Sequence, residues 1–305
     1  MIVVRPNAVT DALFVDASSN VPENDNTLWD VSVANSIGDK VMMTTGVHKN
    51  FECLIANTTE NPSLAPVNGS GDPYWLDLGA TNRWAMFDEV IGNQTTNTTS
   101  IVFEVSSTTV IDTIGLLNIA GSTVNITGVN SSSVEFYNQD FEILSTENVF
   151  DAYSYFFAEF ISKEDIIAVD IPPFLGASFT ITITGSGTVA LGEFVYGSAF
   201  ELGASLVGAQ PFIESFSTVT RDAFGNVTKT VRSNTKGMSI DTAVLTSRIN
   251  NIHKVMREII DINALWVGSP DNSALIIYGI MSQYSPAFGS DGSLSFTNYE
   301  ITGLI

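Results

Sequence analysis

Between residues 100 and 200, short apolar runs alternate with turn-forming residues. Residues 178–185 read SFTITITG, in which every second residue from Phe179 is apolar and the residues between are threonines. This period of two predicts a strand with one dry face and one wet face. Runs of five to twelve residues, separated by Gly, Asn or Pro, continue through the region. We therefore predict an antiparallel β-sandwich of jelly-roll type over residues 12–200, with two sheets face to face.

The predicted strands of this region are rich in Thr and β-branched residues, and no helical period separates them. They are SIVFEV, VIDTIGLLNI, TVNITGV, SVEFYNQDFEIL, YSYFFAEFI, DIIAVDIP, SFTITITG and TVALGEFVYG. The run IGLLNI is apolar enough for a central strand. Before this region, residues 1–11 are predicted to form an arm and residues 12–17 a first strand. Further strands are predicted at 40–45 and 51–56, and a long loop leads from there to Trp75.

The pattern changes after residue 205. Residues 213–221 and 227–240 are predicted to pair as a hairpin, because Gly225 and Asn226 supply a turn between them. A helix is predicted next, and extended segments follow it at 263–268, 274–284 and 293–302. Residues 205–305 therefore form a small α+β unit in this interpretation.

The helix is predicted over residues 242–261, with Ser239 or Asp241 as its cap. Its apolar residues recur at intervals of four and three, which places them on one face. They are Leu245, Ile249, Ile252, Met256 and Ile259, and the opposite face carries Arg248, Asn251, Lys254 and Glu258. We expect the apolar stripe to pack against a sheet or a partner helix.

The net charge of −21 divides unevenly along the chain. Residues 1–220 hold five Lys or Arg against 26 Asp or Glu, whereas residues 221–305 hold seven of each. We therefore predict an acidic jelly-roll-like sandwich over 1–204 and a neutral α+β assembly domain over 205–305. An acidic surface repels phosphate backbones, so nucleic acid is not expected as a partner. Membrane insertion is not expected either, because no apolar run approaches the length of a membrane helix and the N-terminus lacks a signal pattern.

Residues 75–88, WLDLGATNRWAMFD, set polar residues among large apolar ones. Their alternation predicts a short strand that ends at Gly79. The planar fork of Arg83 is suited to a carboxylate such as Asp77 or Asp88, or to backbone carbonyls. One interpretation is a folding element whose rings fill a core while the arginine pins a loop; the other is a sugar platform made by Trp75 or Trp84. The residues assigned to this structural motif are Trp75, Asp77, Asn82, Arg83, Trp84, Phe87 and Asp88.

The string GATNRWAMFD resembles a motif of tailed-bacteriophage virion proteins, which typically place it in a β-sandwich of jelly-roll type. Three C-terminal segments add to this resemblance: TVTRDAFGNVTKTVRSN, SRINNIHKVMREI followed by ALWVGS, and SLSFTNYEITGLI. The resemblance implies a non-enzymatic structural component of the virion, at the tail tip, the baseplate or the fibre-attachment region. It would be assembled in the cytoplasm of the host bacterium. The implied partners are copies of itself in a ring or trimer and other tail or baseplate proteins.

Motifs of catalytic chemistry are missing from the sequence, which contains no H-E-x-x-H, G-x-S-x-G or C-x-x-C. His48 and His253 are expected in surface or packing roles, and the single cysteine, Cys53, as a small buried hydrophobe. Asp77 and Asp88 flank aromatic residues and are the carboxylate pair to consider for glycoside hydrolysis, although structural partners are favoured for both. We therefore expect neither enzyme activity nor a bound cofactor.

A carbohydrate-binding, lectin-like adhesin module for host-surface glycans is the alternative function. Trp75 and Trp84 are its candidate glycan contacts. Calcium is a candidate ligand of the acidic loop that contains Glu23, Asp25 and Asp30, although a solvated loop is favoured there. A second group of aromatic residues is expected to fill the sheets, because no basic residues are interleaved with it. That group is Tyr153, Tyr155, Phe156, Phe157 and Phe160.

Overall fold

A computed structural model describes residues 1–145, 149–157, 161–270, 272–289 and 293–304. Within them the chain is mainly β, with antiparallel sheets in a sandwich-like arrangement and one long helix. The strands in chain order are β1 Ile2–Val4, β2 Thr27–Leu28, β3 Lys40–Met43, β4 Lys49–Cys53, β5 Trp75–Ala80, β6 Thr95–Ser106, β7 Thr113–Ala120, β8 Thr123–Val129, β9 Glu135–Glu142, β10 Leu144–Ser145, β11 Ile161–Ser162, β12 Ile166–Ala168, β13 Ser178–Gly197, β14 Ala199–Glu201, β15 Ala204–Ser205, β16 Gln210–Ser215, β17 Thr218–Arg221, β18 Val227–Thr230, β19 Asn234–Leu245, β20 Ala264–Val267, β21 Ile276–Ala287 and β22 Leu294–Gly303. The α-helices are α1 Ala152–Phe157 and α2 Ile249–Ile259, and short 3-10 helices lie at Asp16–Ser18, Pro62–Leu64, Ala85–Phe87, Thr246–Arg248 and Ser273–Leu275.

A six-stranded sheet forms the centre of the sandwich. Its order is β12-β7-β13-β8-β9, and β6 also pairs with β13. The predicted strand SFTITITG is the first part of β13, and its alternation is confirmed because Phe179, Ile181 and Ile183 are fully buried. TVNITGV is confirmed as β8, and IGLLNI lies in β7 between β12 and β13. The apolar face of this sheet builds the largest core of the protein.

An eight-stranded sheet contains most of the second half of the chain. Its order is β14-β1-β20-β21-β22-β19-β15, with β16 paired to β19. The helix α2 lies against this sheet, since its Ile252, Met256 and Ile259 share a core with Met238 and Trp266. The apolar stripe of the helix is therefore confirmed from Ile249 onward.

The two large sheets pack against each other through a third core. Leu117 and Val195 of the six-stranded sheet meet Val4 and Leu265 of the eight-stranded sheet there. A Cβ atom at Gly115 would lie 2.5 Å from Cδ2 of Leu265, so a larger residue there would displace the leucine side chain. Sheet membership does not follow a division at residue 204, because β1 pairs with both β14 and β20. Residues 1–11, predicted as an N-terminal arm, thus contribute the strand β1 to the eight-stranded sheet.

A four-stranded sheet, β2-β3-β4-β5, lies outside both large sheets. The pair β2 and β3 is parallel, and the others are antiparallel. Its small core contains Val41, Phe51, Cys53 and Trp75. Cys53 is fully buried, as expected for a small hydrophobe.

Two strand predictions are wrong. Residues 12–17 form a turn and the start of a 3-10 helix, with only an isolated bridge between Phe14 and Val105. The segment YSYFFAEFI contains α1, because Asp151 accepts a hydrogen bond from the Ser154 amide at 2.6 Å and caps the first turn. Residues 158–160 of that prediction lie outside the described residues.

The long helix begins later than predicted. Residues 242–245 extend β19 instead, and Thr242 and Val244 pair with Thr297 and Ser295 of β22. The β-branched residues at 242 and 244 point into the core in this strand, which a helix would not allow. The proposed caps Ser239 and Asp241 therefore also lie in β19, and the helix has no side-chain cap.

Glu193 is a buried carboxyl between the two large sheets and is only 3% exposed. Desolvation, together with the negative charge of nearby Asp88, raises its pKa to about 9. The Glu89 amide donates a hydrogen bond to Glu193 Oε2 at 3.1 Å. The carboxyl is therefore protonated at neutral pH in the folded protein.

We predict that Glu193 makes the protein less stable as the pH rises from 5 to 8. The unfolded chain loses this proton near the ordinary glutamate pKa of 4.5, whereas the folded protein holds it up to about pH 9. Glu193→Gln should remove this loss, which reaches up to ~4 kcal/mol at ~1.4 kcal/mol per pH unit. Thermal unfolding followed by circular dichroism at pH 5 and pH 8 measures the effect. The exposed Glu142→Gln is the control, and an equal benefit of Glu193→Gln at both pH values would contradict the prediction.

Candidate functional site

Arg83 ties the segment 75–88 to the acidic N-terminal loop. Its Nε donates to the Val21 carbonyl at 2.6 Å, and its Nη1 contacts the carboxylate of Asp16. The predicted clamp on a backbone carbonyl is therefore present, whereas the predicted pairing of Arg83 with Asp77 or Asp88 is wrong. The guanidinium contacts the acidic N-terminal loop and not the carboxylates of its own segment.

Asp77 and Asp88 have separate partners. Asp77 accepts a hydrogen bond from Lys49 Nζ at 2.7 Å, and that bond lowers its pKa although burial opposes the shift. Asp88 accepts from Asn93 Nδ2 at 2.6 Å, but burial raises its pKa above the ordinary value. Each carboxylate thus fixes local structure, and each also accepts a hydrogen bond from a backbone amide, Asp77 from Gly79 and Asp88 from Val90, but neither is a partner of Arg83.

Asn82 connects the same segment to the start of β6. Its Nδ2 donates to the Thr96 carbonyl at 2.9 Å, and its Oδ1 accepts from the Thr96 amide at 2.9 Å. Its own amide donates to Asp25 Oδ2 at 2.6 Å, and the Thr81 hydroxyl donates to Glu23 at 2.8 Å. The tripeptide Thr81-Asn82-Arg83 therefore holds the acidic loop on the sandwich at four residues, Asp16, Val21, Glu23 and Asp25.

His48 stacks on Trp84, with the ring centroids 3.9 Å apart and the planes at 17°. Nδ1 of His48 lies 2.9 Å from Glu23 Oε1, and Nε2 lies 2.9 Å from Asp11 Oδ1. Both contacts require the charged imidazolium, because a neutral ring donates from one nitrogen only. Sequence reasoning gave His48 a packing role without these partners, which are remote in the chain.

The two candidate glycan contacts are buried. Trp75 is 6% exposed and donates from Nε1 to the Glu60 carbonyl at 2.8 Å. Trp84 is 9% exposed, with His48 over its ring and Phe14 beside it. A stacked sugar needs a free ring face, and neither tryptophan offers one in this conformation. Phe87 likewise packs into the sandwich core.

The candidate calcium ligands point to separate partners. Glu23 serves His48, Asp25 accepts from the Asn82 amide, and Asp30 accepts from the Ser32 amide at 2.7 Å. Across the described ranges, no group of three or more His, Cys, Asp or Glu side chains is arranged to hold a metal ion.

An exposed element of the second half is a β-ribbon, which we call the arm and define as residues 216–233. Its strands β17 and β18 form a separate two-stranded sheet in which every residue is exposed. The predicted turn is confirmed: Gly225 has a φ of 87°, and Asp222 accepts from the Asn226 amide at 2.8 Å. The ribbon extends from β16 and β19 at one edge of the eight-stranded sheet.

The two faces of the arm differ in chemistry. Thr218 pairs with Thr230 and Thr220 with Thr228, so one face is a threonine ladder. The other face holds the cross-strand pairs Val219 with Lys229 and Arg221 with Val227. We call the face that holds these two pairs the valine face. Val219 is 61% exposed and Val227 is 55% exposed, so the apolar half of the arm has no cover within the described part of the chain.

Aromatic side chains are also exposed around α1. They do not fill the sheets, so that expectation is wrong: their exposed fractions lie between 69% and 83%. The group consists of Phe150, Tyr153, Tyr155, Phe156 and Phe157. Phe160 lies outside the described residues. The capped helical turn displays these rings, since a six-residue helix on the surface cannot bury all of its faces.

Comparisons with known proteins give little further information. No family model matches the chain, and no curated protein matches it. One solved structure with a detectable likeness is CBM32-1, from a family 31 glycoside hydrolase of Clostridium perfringens. It is 13% identical, covers 38% of this chain and 84% of that module, and has a TM-score of 0.25, which is too low to support an argument about function. In the described residues, the search for a helix long and apolar enough to cross a membrane found none.

We predict that the contacts of His48 make the acidic loop sensitive to pH. Burial disfavours the charged ring, but the hydrogen bonds and charges of Glu23 and Asp11 outweigh that effect and raise the pKa of His48. A raised pKa means that the stabilisation is complete below the ordinary value of 6.5 and is lost as pH rises through the folded value.

His48→Gln should therefore cost ~2 kcal/mol of stability at pH 5.5 and less at pH 8.5, by loss of hydrogen bonds to charged groups. Urea unfolding at the two pH values measures the difference. The exposed His253→Gln is the matched control and should show no such change. A cost for His48→Gln that is the same at both pH values would contradict the charged state of the ring.

Proposed function

We propose that this protein is a non-enzymatic structural component of a tailed-phage virion, at the tail tip, the baseplate or the fibre-attachment region. It forms a symmetric assembly with copies of itself and contacts other tail or baseplate proteins. The observation that carries the assembly role is the uncovered valine face of the arm. The phage setting rests on the resemblance of GATNRWAMFD and of the C-terminal segments to virion proteins.

In an isolated copy, the arm exposes its apolar face to water, which is unfavourable. A two-stranded ribbon is marginally stable in water by itself, and it cannot cover its own apolar face. Val219 and Val227 would each gain from burial against a partner, at roughly 1.5–3 kcal/mol for a fully buried side chain of this class. A partner surface therefore stabilises both the ribbon and the contact.

The charge of the arm indicates what that partner carries. The arm holds Arg221, Lys229 and Arg232 against the single carboxylate of Asp222, which is occupied in the turn. The chain as a whole has a net charge of −21. Another copy of the protein thus offers the arm an acidic surface, and opposite charges favour association of the correct surfaces.

A structural role also suits the segment 75–88. Its polar groups are engaged in holding loops, as with Arg83 on the Val21 carbonyl and Asn82 on Thr96. These contacts fix the loops on the sandwich and so make this part of the protein rigid. We propose no catalytic residue for this protein.

Glycan binding is the second candidate function, and the aromatic group around α1 favours it. The exposed rings of Tyr153 and Tyr155 offer faces on which sugars stack, which the buried tryptophans do not. The module would then use α1 as its contact with host-surface glycans.

We predict that the arm drives self-association. Val219→Ser with Val227→Ser removes the apolar side chains of the valine face and should convert the assembly to monomers, with an unfolding temperature close to that of the wild type. Sedimentation velocity over a range of protein concentrations measures the oligomeric state.

The matched control is Thr220→Ser with Thr228→Ser, a cross-strand pair on the threonine ladder, which should assemble like the wild type. A wild-type protein that stays monomeric at all concentrations would contradict the proposed assembly. Equal effects of the two double variants would show that the valine face has no special part in it.

For the glycan function, we expect Tyr153→Ala with Tyr155→Ala to abolish any signal that the wild type gives on a glycan array. The array is read with and without calcium, so that an ion requirement is seen directly. Trp75→Phe is the control, because this buried ring should not affect binding. Absence of any wild-type signal under both conditions would reject the second candidate.

A further inference from the structure

We propose that the arm of one copy binds the free edge of β5 in the next copy, so that the assembly is built from donor and acceptor surfaces. This inference rests on the proposed self-assembly and names the surface that receives the arm. It follows from three properties of β5: its open edge, its exposed leucines and the carboxylate beside them.

The strand β5 lies at the end of the four-stranded sheet. In the described residues it is hydrogen-bonded to one strand, β4, and its opposite edge has no strand beside it. Such an edge carries unpaired backbone N–H and C=O groups, which makes it a template for another strand. Within the part of the chain that the structure describes, the strands of the arm also have free outer edges, because β17 and β18 pair only with each other. Backbone pairing between the two is the known mode of β-strand addition.

The side chains of β5 are unusual for an open edge. Leu76 is 47% exposed and Leu78 is 42% exposed. Edges that are left open in soluble proteins normally carry charges or proline, since apolar edges invite further pairing. The sequence WLDLGA places these leucines outward while Trp75 enters the small core. Asp77, between the two leucines, is paired with Lys49 Nζ at 2.7 Å, so the leucines are the apolar part of this edge that lacks a cover. A second copy is the cover that we infer for them.

The chemistry of this edge complements the valine face. Glu52 is the cross-strand partner of Leu76, so a carboxylate lies on the same side of the sheet as the leucine. Its ion pair with Lys40 is long, at 4.0 Å, and leaves the carboxylate available. In one contact, the valines of the arm would pack on the leucines of β5, and Arg221 or Lys229 would pair with Glu52.

Donor and acceptor lie in different parts of one copy. The arm extends from the eight-stranded sheet, and β5 belongs to the four-stranded sheet. A contact between unlike surfaces repeats from copy to copy and closes into a ring when the rotation between copies allows it. This geometry distinguishes the proposal from a two-fold dimer in which two arms pair with each other.

The first experiment mixes two variants of the full chain. Leu76→Ser with Leu78→Ser removes the acceptor, and Val219→Ser with Val227→Ser removes the donor. Each variant alone should be monomeric, with its apparent dissociation constant raised by about 100-fold, as expected for two truncated contacts. A mixture should yield a one-to-one heterodimer by native mass spectrometry, because one intact donor then meets one intact acceptor.

The second measurement is disulfide cross-linking in otherwise wild-type surfaces, which does not depend on tolerance of the serine substitutions. Val219→Cys mixed with Leu76→Cys should give a cross-linked pair under mild oxidation. The native Cys53 is fully buried and should not interfere. Val134→Cys, at a site that is 57% exposed and lies between β8 and β9 of the six-stranded sheet, is the control and should not cross-link to Val219→Cys.

The outcomes separate this inference from the proposed function. If the wild type and the β5 variant assemble equally well, or if Val219→Cys cross-links only to itself, the acceptor is wrong while self-assembly stands. If the wild type is monomeric throughout, self-assembly itself fails and the inference falls with it. Heterodimer formation together with the cross-link between residues 219 and 76 would establish both.

Discussion

The strand β13 connects the two halves of the molecule, and the rest of the fold depends on it. It pairs with β6, β7 and β8 along its twenty residues. Residues 189–197 are buried on both faces, because one face enters the sandwich core and the other meets the eight-stranded sheet. Burial on both faces is what forces Glu193 to keep its proton, since an ionised carboxylate there would lie between two apolar layers beside Asp88. The same packing makes the halves one body, in which Gly115 admits Leu265 across the contact.

Two apolar parts of the surface of this rigid body, an edge of β5 and the arm, are uncovered. Arg83 and the stack of His48 on Trp84 fix the acidic loop. The segment 75–88 therefore makes its contacts within the protein, except along one strand edge. That edge is β5, with Leu76 and Leu78 outward, and the arm is another uncovered apolar element with regular strand geometry. Because the backbone edges and the apolar side chains are exposed at both places, the proposed contact between copies of the chain would cover both together.

Sequence periodicity predicts the elements that bury one face and expose the other. The alternation at Phe179, Ile181 and Ile183 and the stripe at Ile252, Met256 and Ile259 reflect a single buried face each, so both were recovered. The helix start was misplaced because Thr242 to Leu245 suits a strand as well as a helix, and only pairing with β22 decides between them. The helix α1 was missed because its aromatic residues suggest a strand, whereas the Asp151 cap acts locally. The partners of Arg83 and His48 lie in other segments of the chain, and no local pattern indicates which carboxylate a folded loop brings to them.

The central claim is that β5 of a second copy covers the arm, and amide hydrogen exchange tests it most directly. Outer amides of Thr218–Arg221 and Val227–Thr230 are exposed in a single copy and should exchange rapidly in dilute protein. The account predicts that peptides from these strands, and from Trp75–Ala80, become protected together as protein concentration rises, while the turn at Asp222 to Asn226 stays fast. Exchange from the arm that remains fast at every concentration, or protection of the arm without protection of β5, would contradict it.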